Sequence, residues 1–203
     1  MRTEFARLSR IDAHILLGEE PLGWRMAALA DIKATARLVP MHLYQLPAQP
    51  GRFGGARKAG WAEGQAPYLT WFDPDDRYPP EQAAAFLLQA ASALDAAPSL
   101  AVVFSTEQQI TATGRLLNIP CTSTPDLSAI RRRPSALHGL QLWRRSVVQA
   151  LAPALQDTDP VAEWSLPLAT LDAGHAYLRL PHSARQWRRH AAQISKTVMI
   201  KNT

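Results

Sequence analysis

The sequence predicts an α/β fold with a mainly parallel central sheet flanked by helices, and three observations carry that prediction. Short apolar, β-branched and aromatic runs alternate with helix-period segments in the order β-α-β-α-β-loop-α-β. The run Tyr68-Leu69-Thr70-Trp71-Phe72 reads as a buried strand, and acidic residues follow it directly. Pro79-Pro80 with Glu81 beside them then mark the start of a helix.

Taken in order, Ile11 to Leu17 is the first strand, closed by the turn signal Gly18-Glu19-Glu20-Pro21. Trp24 to Ala36 is a helix: Trp24, Ala28, Leu29 and Ile32 share a face, and Arg25, Asp31 and Lys33 are left for solvent. Leu38 to Leu46 is a second strand ended by Pro47. A glycine-rich approach from Pro50 leads into a helix from about Ala56 to Glu63. After Tyr68 to Phe72, a helix from about Glu81 to Leu94 and a strand from Leu100 to Phe104 complete the regular part. Ala112 to Leu117 suggests a turn and a return strand. Arg145 to Leu155 and Glu163 to Leu171 read as helices, and His175 to Leu180 as a short strand. From Gln186 onward the chain reads as a basic, polar tail.

A length of 203 residues suits one domain with a single buried core. With 47% hydrophobic and 19% charged residues, the composition is globular rather than disordered. The lone Cys121 rules out a disulfide within the chain, and no secretory signal or C-x-x-C pair is visible. Asp95 and Pro98 break the most apolar stretch, Ala83 to Phe104, so a helix and a buried strand account for it better than a membrane span. A soluble, cytoplasmic protein is therefore expected. The net charge of +5 would suit anionic partners. Its basic residues are dispersed, however, and Arg131-Arg132-Arg133 before Pro134 reads as a solvated loop, so nucleic acid is not the expected partner.

The chemistry-bearing feature is Asp73-Pro74-Asp75-Asp76, set at the carboxyl end of a strand, where open α/β sheets bind ligands. Three carboxylates within four residues repel one another unless a cation or solvent screens them. Their hard oxygens suit Mg²⁺ or Mn²⁺, held by one or two carboxylates together with substrate phosphates. An EF-hand does not fit, because Arg77 and Tyr78 stand where a ligand and a glycine are needed. Without its surroundings, the cluster reads better as a solvated turn capping the next helix than as a metal site.

Those surroundings resemble the GT-A glycosyltransferases of the family-2-like type. Gly54-Gly55-Ala56-Arg57-Lys58-Ala59-Gly60 is similar to that family's Gly-rich, Ala-Arg-containing helix start. The segment from Ala66 through Asp73-Pro74-Asp75-Asp76 to Pro80 is similar to its strand and D-x-D motif, at matching spacing. Ser105 to Leu117 resembles the strand and hairpin that follow, and Trp143-Arg144-Arg145-Ser146 the start of an acceptor-side helix. The resemblance spans most of the chain. It implies a single GT-A domain over residues 1–203, with a donor-binding half to about residue 120 and an acceptor-side half beyond.

It also implies an activity: metal-dependent transfer of a sugar from a nucleotide-sugar donor to a hydroxyl on a glycan, protein or small-molecule acceptor. Asp73 would face the nucleotide, Asp75 would ligate Mn²⁺ or Mg²⁺ with Asp73, and Asp76 would assist at the donor. Arg57 either holds a phosphate or anchors the acidic loop. For an inverting reaction the base would be Glu163, in Ala162-Glu163-Trp164-Ser165-Leu166, with Asp159 and Asp157 as the alternatives. Gln186-Trp187-Arg188-Arg189-His190 resembles the family's W-R-x-H segment, in which His190 would complete the metal shell and Arg188 would clamp diphosphate. His138, before Gly139, would border the acceptor. One departure stands out: Leu43-Tyr44-Gln45-Leu46 lacks the acid that the family uses to hold the nucleobase, leaving Glu19 or Glu20 to substitute. A binding protein of the same fold without catalysis is the alternative function.

Overall fold

The computed structural model describes residues 9–18, 20–47, 53–117, 128, 132, 137–156 and 165–191. The elements are β1 (Ile11–Leu17), α1 (Leu22–Leu38), β2 (His42–Pro47), α2 (Phe53–Ala62), β3 (Tyr68–Phe72), α3 (Pro80–Ala96) and β4 (Leu100–Thr111). They are followed by β5 (Leu116–Leu117), β6 (Gln141–Arg144), α4 (Arg145–Leu151) with a 3₁₀ turn at Ala152–Ala154, α5 (Ser165–Asp172) and β7 (Ala176–Arg189). The order through β4 is the one expected.

One mixed sheet runs β2-β1-β3-β6-β4-β5, with β7 added to β4. β1 pairs in parallel with β2 and β3, and β7 in parallel with β4. The short β6 is antiparallel to both β3 and β4. Period-2 alternation gives the sheet two apolar faces. Ile11, Ala13, Ile15, Tyr68 and Phe72 pack against Ile32 of α1 and Phe86, Leu87 and Leu94 of α3. On the other face Leu69, Trp71, Val102, Phe104 and Trp143 meet Trp61 of α2, Val148 of α4 and Leu166 of α5. Trp71 stacks on Trp143 with ring centroids 5.9 Å apart. Both faces are covered, which is why the strands read as nearly continuous apolar runs.

Several parts of the sequence reading change: β4 runs on to Thr111 rather than ending at Phe104, and Leu38, expected to open the second strand, ends α1. Gln141–Arg144 is a strand before the helix; its four residues are too short for a periodicity signal. The segment from Gln186 is no tail as far as Arg189, because β7 continues to that residue along β4. Its arginines hide the pattern: Arg188 is buried, yet counts as polar in any sequence window. The ladder skips residues between Leu180 and Ser183 and between Ser183 and Arg185, beside Pro181. Such bulges re-aim side chains, and this one sets the direction of Arg185.

At the opposite, amino-terminal end of the parallel strands lies a buried ionic anchor. Asp12, fully buried, accepts from Arg145 at 2.5 Å, from the Ala66 N–H at 2.8 Å and pairs with His42 at 2.9 Å. Arg145 also donates to the Ala66 and Trp61 carbonyls. Gly64 is required here: its φ is +81°, and a Cβ would meet Asp12 Oδ2 at 2.1 Å. The arginine of the Trp143-Arg144-Arg145-Ser146 motif thus holds α2 and α4 to β1.

Beside this anchor His14 is buried and stacks on Tyr44 with centroids 5.3 Å apart. Burial, followed by the charge of Arg145, lowers its pKa from 6.5. With the folded value below the unfolded one, the unfolded chain binds the extra proton, so this contribution to stability is full above about pH 6.5 and falls as the pH drops below it. Urea melts of wild type should therefore weaken between pH 7.5 and 5.5 by more than those of His14→Leu. Parallel pH dependences in the two proteins would show that His14 contributes nothing.

Candidate functional site

The site is built where β3 ends. The Asp76 N–H donates to the Asp73 carbonyl at 3.2 Å, closing the acidic turn, and the Asp73 N–H donates to the Tyr78 hydroxyl at 2.7 Å. Asp31 of α1 receives Arg77 Nε at 2.5 Å and the Tyr78 N–H at 3.0 Å. Asp31, expected in solvent, is instead buried and fixes the far side of the loop. Arg77 and Gln186 exchange backbone hydrogen bonds at 3.2 and 2.8 Å, which joins the loop to β7. These bonds hold the turn on three sides and give its carboxylates fixed, different directions.

Arginines meet two of those carboxylates. Asp73 receives Arg57 on Oδ1 at 3.0 Å and Arg185 on Oδ2 at 3.1 Å. Burial works against its charge, but Arg57 and Arg185 together hold its pKa below the usual carboxylate range. Asp76 is fully buried; it receives Arg185 Nε on Oδ2 at 2.6 Å and the Arg188 N–H on Oδ1 at 2.8 Å. Burial raises the Asp76 pKa well above the usual carboxylate range, with the charge of Arg185 opposing it. At Arg185 burial is outweighed by Asp76 and Asp73, which hold its pKa well above the ordinary value. Arg57 also lies over the Trp71 ring at 5.4 Å.

Asp75 faces elsewhere. Its Oδ2 lies 3.2 Å from His190 Nε2, and the two side chains are 26% and 13% exposed. The His190 ring packs against Trp24 at 5.0 Å, and the Arg188 guanidinium lies over the same indole at 4.9 Å. Arg188 donates Nε to the Asp75 carbonyl at 2.7 Å and an amino group to the Ala112 carbonyl at 2.9 Å. Glu20 sits by the same group after β1; burial raises its pKa and the charge of Asp75 adds to that. Glu20 also receives the Gly18 N–H at 3.0 Å, and Arg25 approaches it at 3.6 Å.

The sequence therefore named residues that do converge: Asp73, Asp75, Asp76, Arg57, Arg188 and His190 form one cluster from both ends of the chain. The geometry divides them differently. Asp73, offered as a second metal ligand, has both oxygens on arginines. Asp76 and Arg188 are frame residues with their polar atoms turned to the protein. Glu163, Asp159, Asp157 and Glu19 lie outside the described residues. Arg185 was missed, since nothing local distinguishes it from its basic neighbours, and only the fold brings it to Asp73 and Asp76.

Among the described residues no three His, Cys, Asp or Glu side chains group to hold a metal ion. Asp75 and His190 bring one carboxylate oxygen and one imidazole nitrogen together, two donors of the kinds that divalent cations take.

No protein-family model matches the chain, and no curated protein matches it. Solved structures do. The chain is similar to S. aureus TarS 1-349, a glycosyltransferase, with a TM-score of 0.59 and 14% identity over 88% of this chain and 60% of that one. It is similar to the same protein in complex with UDP-GlcNAc, with a TM-score of 0.61 and 12% identity over 93% and 61%. For the complex with UDP the values are 0.55 and 12% over 89% and 60%. The chain spans about 60% of the length of these structures. At such identity the likeness shows the fold alone: an α/β sheet flanked by helices. Among the described residues no helix is long and apolar enough to cross a membrane.

Proposed function

We propose that the protein is a nucleotide-sugar-dependent glycosyltransferase that needs a divalent cation. One observation carries the reading: Asp75 and His190 meet at the carboxyl ends of the parallel strands, inside a frame whose other carboxylates are already neutralised by arginines. On this reading Asp75 and His190 hold Mn²⁺ or Mg²⁺. When bound, the cation supplies Lewis-acid stabilisation of the departing nucleoside diphosphate. Asp73, steadied by Arg57 and Arg185, faces the nucleotide part of the donor. Asp76 and Arg188 fix the turn rather than touch the donor. Glu20 takes the place of the missing nucleobase acid. Glu163, with Asp159 as the alternative, accepts the acceptor's proton in an inverting transfer.

UDP-GlcNAc, which TarS holds in one structure, is the first donor to test. Titration with and without Mn²⁺ should raise the melting temperature only when both are present. At about 100-fold saturation the stabilisation is about 2.7 kcal/mol, roughly 5–10 °C for a domain of this size. Stabilisation with UDP release supports transfer, and stabilisation without it points to a binding protein of the same fold. No shift with any nucleotide sugar would sink the reading.

A further inference from the structure

His190 stands one residue beyond the last strand. β7 ends at Arg189, whose ladder partner is Thr111 at the end of β4, so strand pairing no longer fixes the backbone at His190. Its side chain is nevertheless only 13% exposed and lies 3.2 Å from Asp75 Oδ2. A contact between two partly exposed side chains contributes little by itself, because both must be ordered to make it. The imidazole needs a further support to stay there.

Trp24 of α1 supplies one. The indole and imidazole centroids are 5.0 Å apart, with the rings tilted by 57°. The Arg188 guanidinium lies over the same indole at 4.9 Å, as expected of residues two apart in an extended chain. Arg188 is itself immobile: it is buried, and it donates to the Asp75 carbonyl at 2.7 Å and the Ala112 carbonyl at 2.9 Å. A guanidinium tied to backbone holds the aromatic ring beneath it, and that ring gives the imidazole a surface to pack on. The contacts close on themselves, from Arg188 to Trp24, to His190, to the Asp75 carboxylate, and back through the Asp75 carbonyl to Arg188.

The indole is also fixed from its own side. The Trp24 and Arg25 N–H groups donate to the Pro21 carbonyl at 2.9 and 3.2 Å, and the Arg25 side chain donates to the Gly18 carbonyl. These bonds tie the first turn of α1 to the loop after β1. Helical periodicity sets Trp24 with Ala28 and Ile32, yet among the described residues it belongs to neither apolar cluster of the sheet. A large apolar side chain at this position is thus spent on a guanidinium and an imidazole rather than on the core. An aliphatic residue would fill the volume without holding either.

We propose that Trp24 is a positioning residue that holds the His190 imidazole against Asp75. On the glycosyltransferase reading, on which this consequence rests, Trp24 sets the affinity of the Asp75–His190 pair for the cation by acting through His190, without touching the donor.

The test compares full-length wild type with Trp24→Ala, Trp24→Phe, His190→Ala and the Trp24→Ala, His190→Ala double variant. Mn²⁺ affinity, read from the free-ion electron paramagnetic resonance signal, should fall about 10–100-fold in Trp24→Ala, the range for a group that orients a metal ligand. Trp24→Phe keeps an aromatic face and should recover most of that loss. In the His190→Ala background, Trp24→Ala should change the affinity by no more than about twofold, because the ligand it positions is gone. Trp24→Leu keeps apolar bulk without the aromatic face; it replaces the alanine variant if that does not fold, and should lose affinity as the alanine variant does. Wild-type affinity in the folded alanine or leucine variant, or an equal loss with and without His190, overturns the proposal. A second readout needs no metal. The His190 ring-proton NMR signals, assigned by their absence from His190→Ala, should be displaced by the indole ring current in wild type and return toward ordinary positions in Trp24→Ala. If wild type binds no Mn²⁺, the cation-dependent transferase reading falls and the NMR comparison alone decides this proposal: His190 signals that do not move in Trp24→Ala overturn it, and signals that move uphold it.

Discussion

Asp75→Ala is expected to lower Mn²⁺ affinity by about 100-fold or more and to abolish metal-dependent donor binding, while leaving the fold intact. Loss of groups that merely support a metal ligand costs about 10–100-fold, so loss of a ligand itself should exceed that range. The three carboxylates of the loop differ in what their removal should do. Asp73 and Asp76 carry guanidinium groups on their oxygens, and their loss frees buried positive charge. Among the described residues Asp75 has only His190 on its carboxylate, and a quarter of its side chain is exposed. Its truncation therefore breaks little of the structure, and the melting temperature should stay within a few degrees of wild type. His190→Ala should repeat the effect on Mn²⁺, measured by titration of the free-ion electron paramagnetic resonance signal. Unchanged Mn²⁺ affinity in Asp75→Ala would remove Asp75 from the cation site.

Much of this arrangement was legible in the sequence because local physics writes it locally. Tyr68-Leu69-Thr70-Trp71-Phe72 is buried on both faces, so it is apolar and aromatic apart from Thr70, and the structure has a strand over the same five residues. Pro80 and Glu81 mark the start of α3 for reasons of φ and dipole that act within one turn. The acidic loop could be found because its position after a strand is a sequence property. The identity of its charge partners could not. Arg185 stands 109 residues from Asp76, and Asp31 was set on a solvent face because helical periodicity cannot foresee Arg77 and the Tyr78 N–H arriving there. The length of β7 was hidden for a related reason: its buried positions toward the end are Ala184 and Arg188, whose guanidinium bonds backbone carbonyls, so no hydrophobic alternation is left to read. What sequence reasoning misses at this site is thus one kind of thing, buried charge whose partner is supplied by tertiary structure.

The second large effect follows from that kind of interaction. Arg185→Met should destabilise the protein by about 3–5 kcal/mol, the cost of leaving buried carboxylates without their cation. For a chain of this size that is a fall in melting temperature of roughly 10 °C. The reason lies in Asp76, which is fully buried and whose Oδ2 meets Arg185 Nε at 2.6 Å, with the Arg188 N–H as its remaining partner. Asp73 keeps Arg57 and suffers less. The double variant Arg185→Met with Asp76→Asn removes charge from both sides and should recover more than half of the loss, since a neutral amide can still accept from the Arg188 N–H. Thermal melts of the two single variants, the double variant and wild type form the cycle that isolates the pair. Additive losses would mean that Arg185 and Asp76 stabilise the fold independently, and β7 would then be joined to the acidic loop by the Arg77–Gln186 backbone bonds and the Arg188 contacts instead. Recovery in the double variant would instead identify Arg185 as the side chain that holds the last strand, and with it His190, against the loop that carries Asp75.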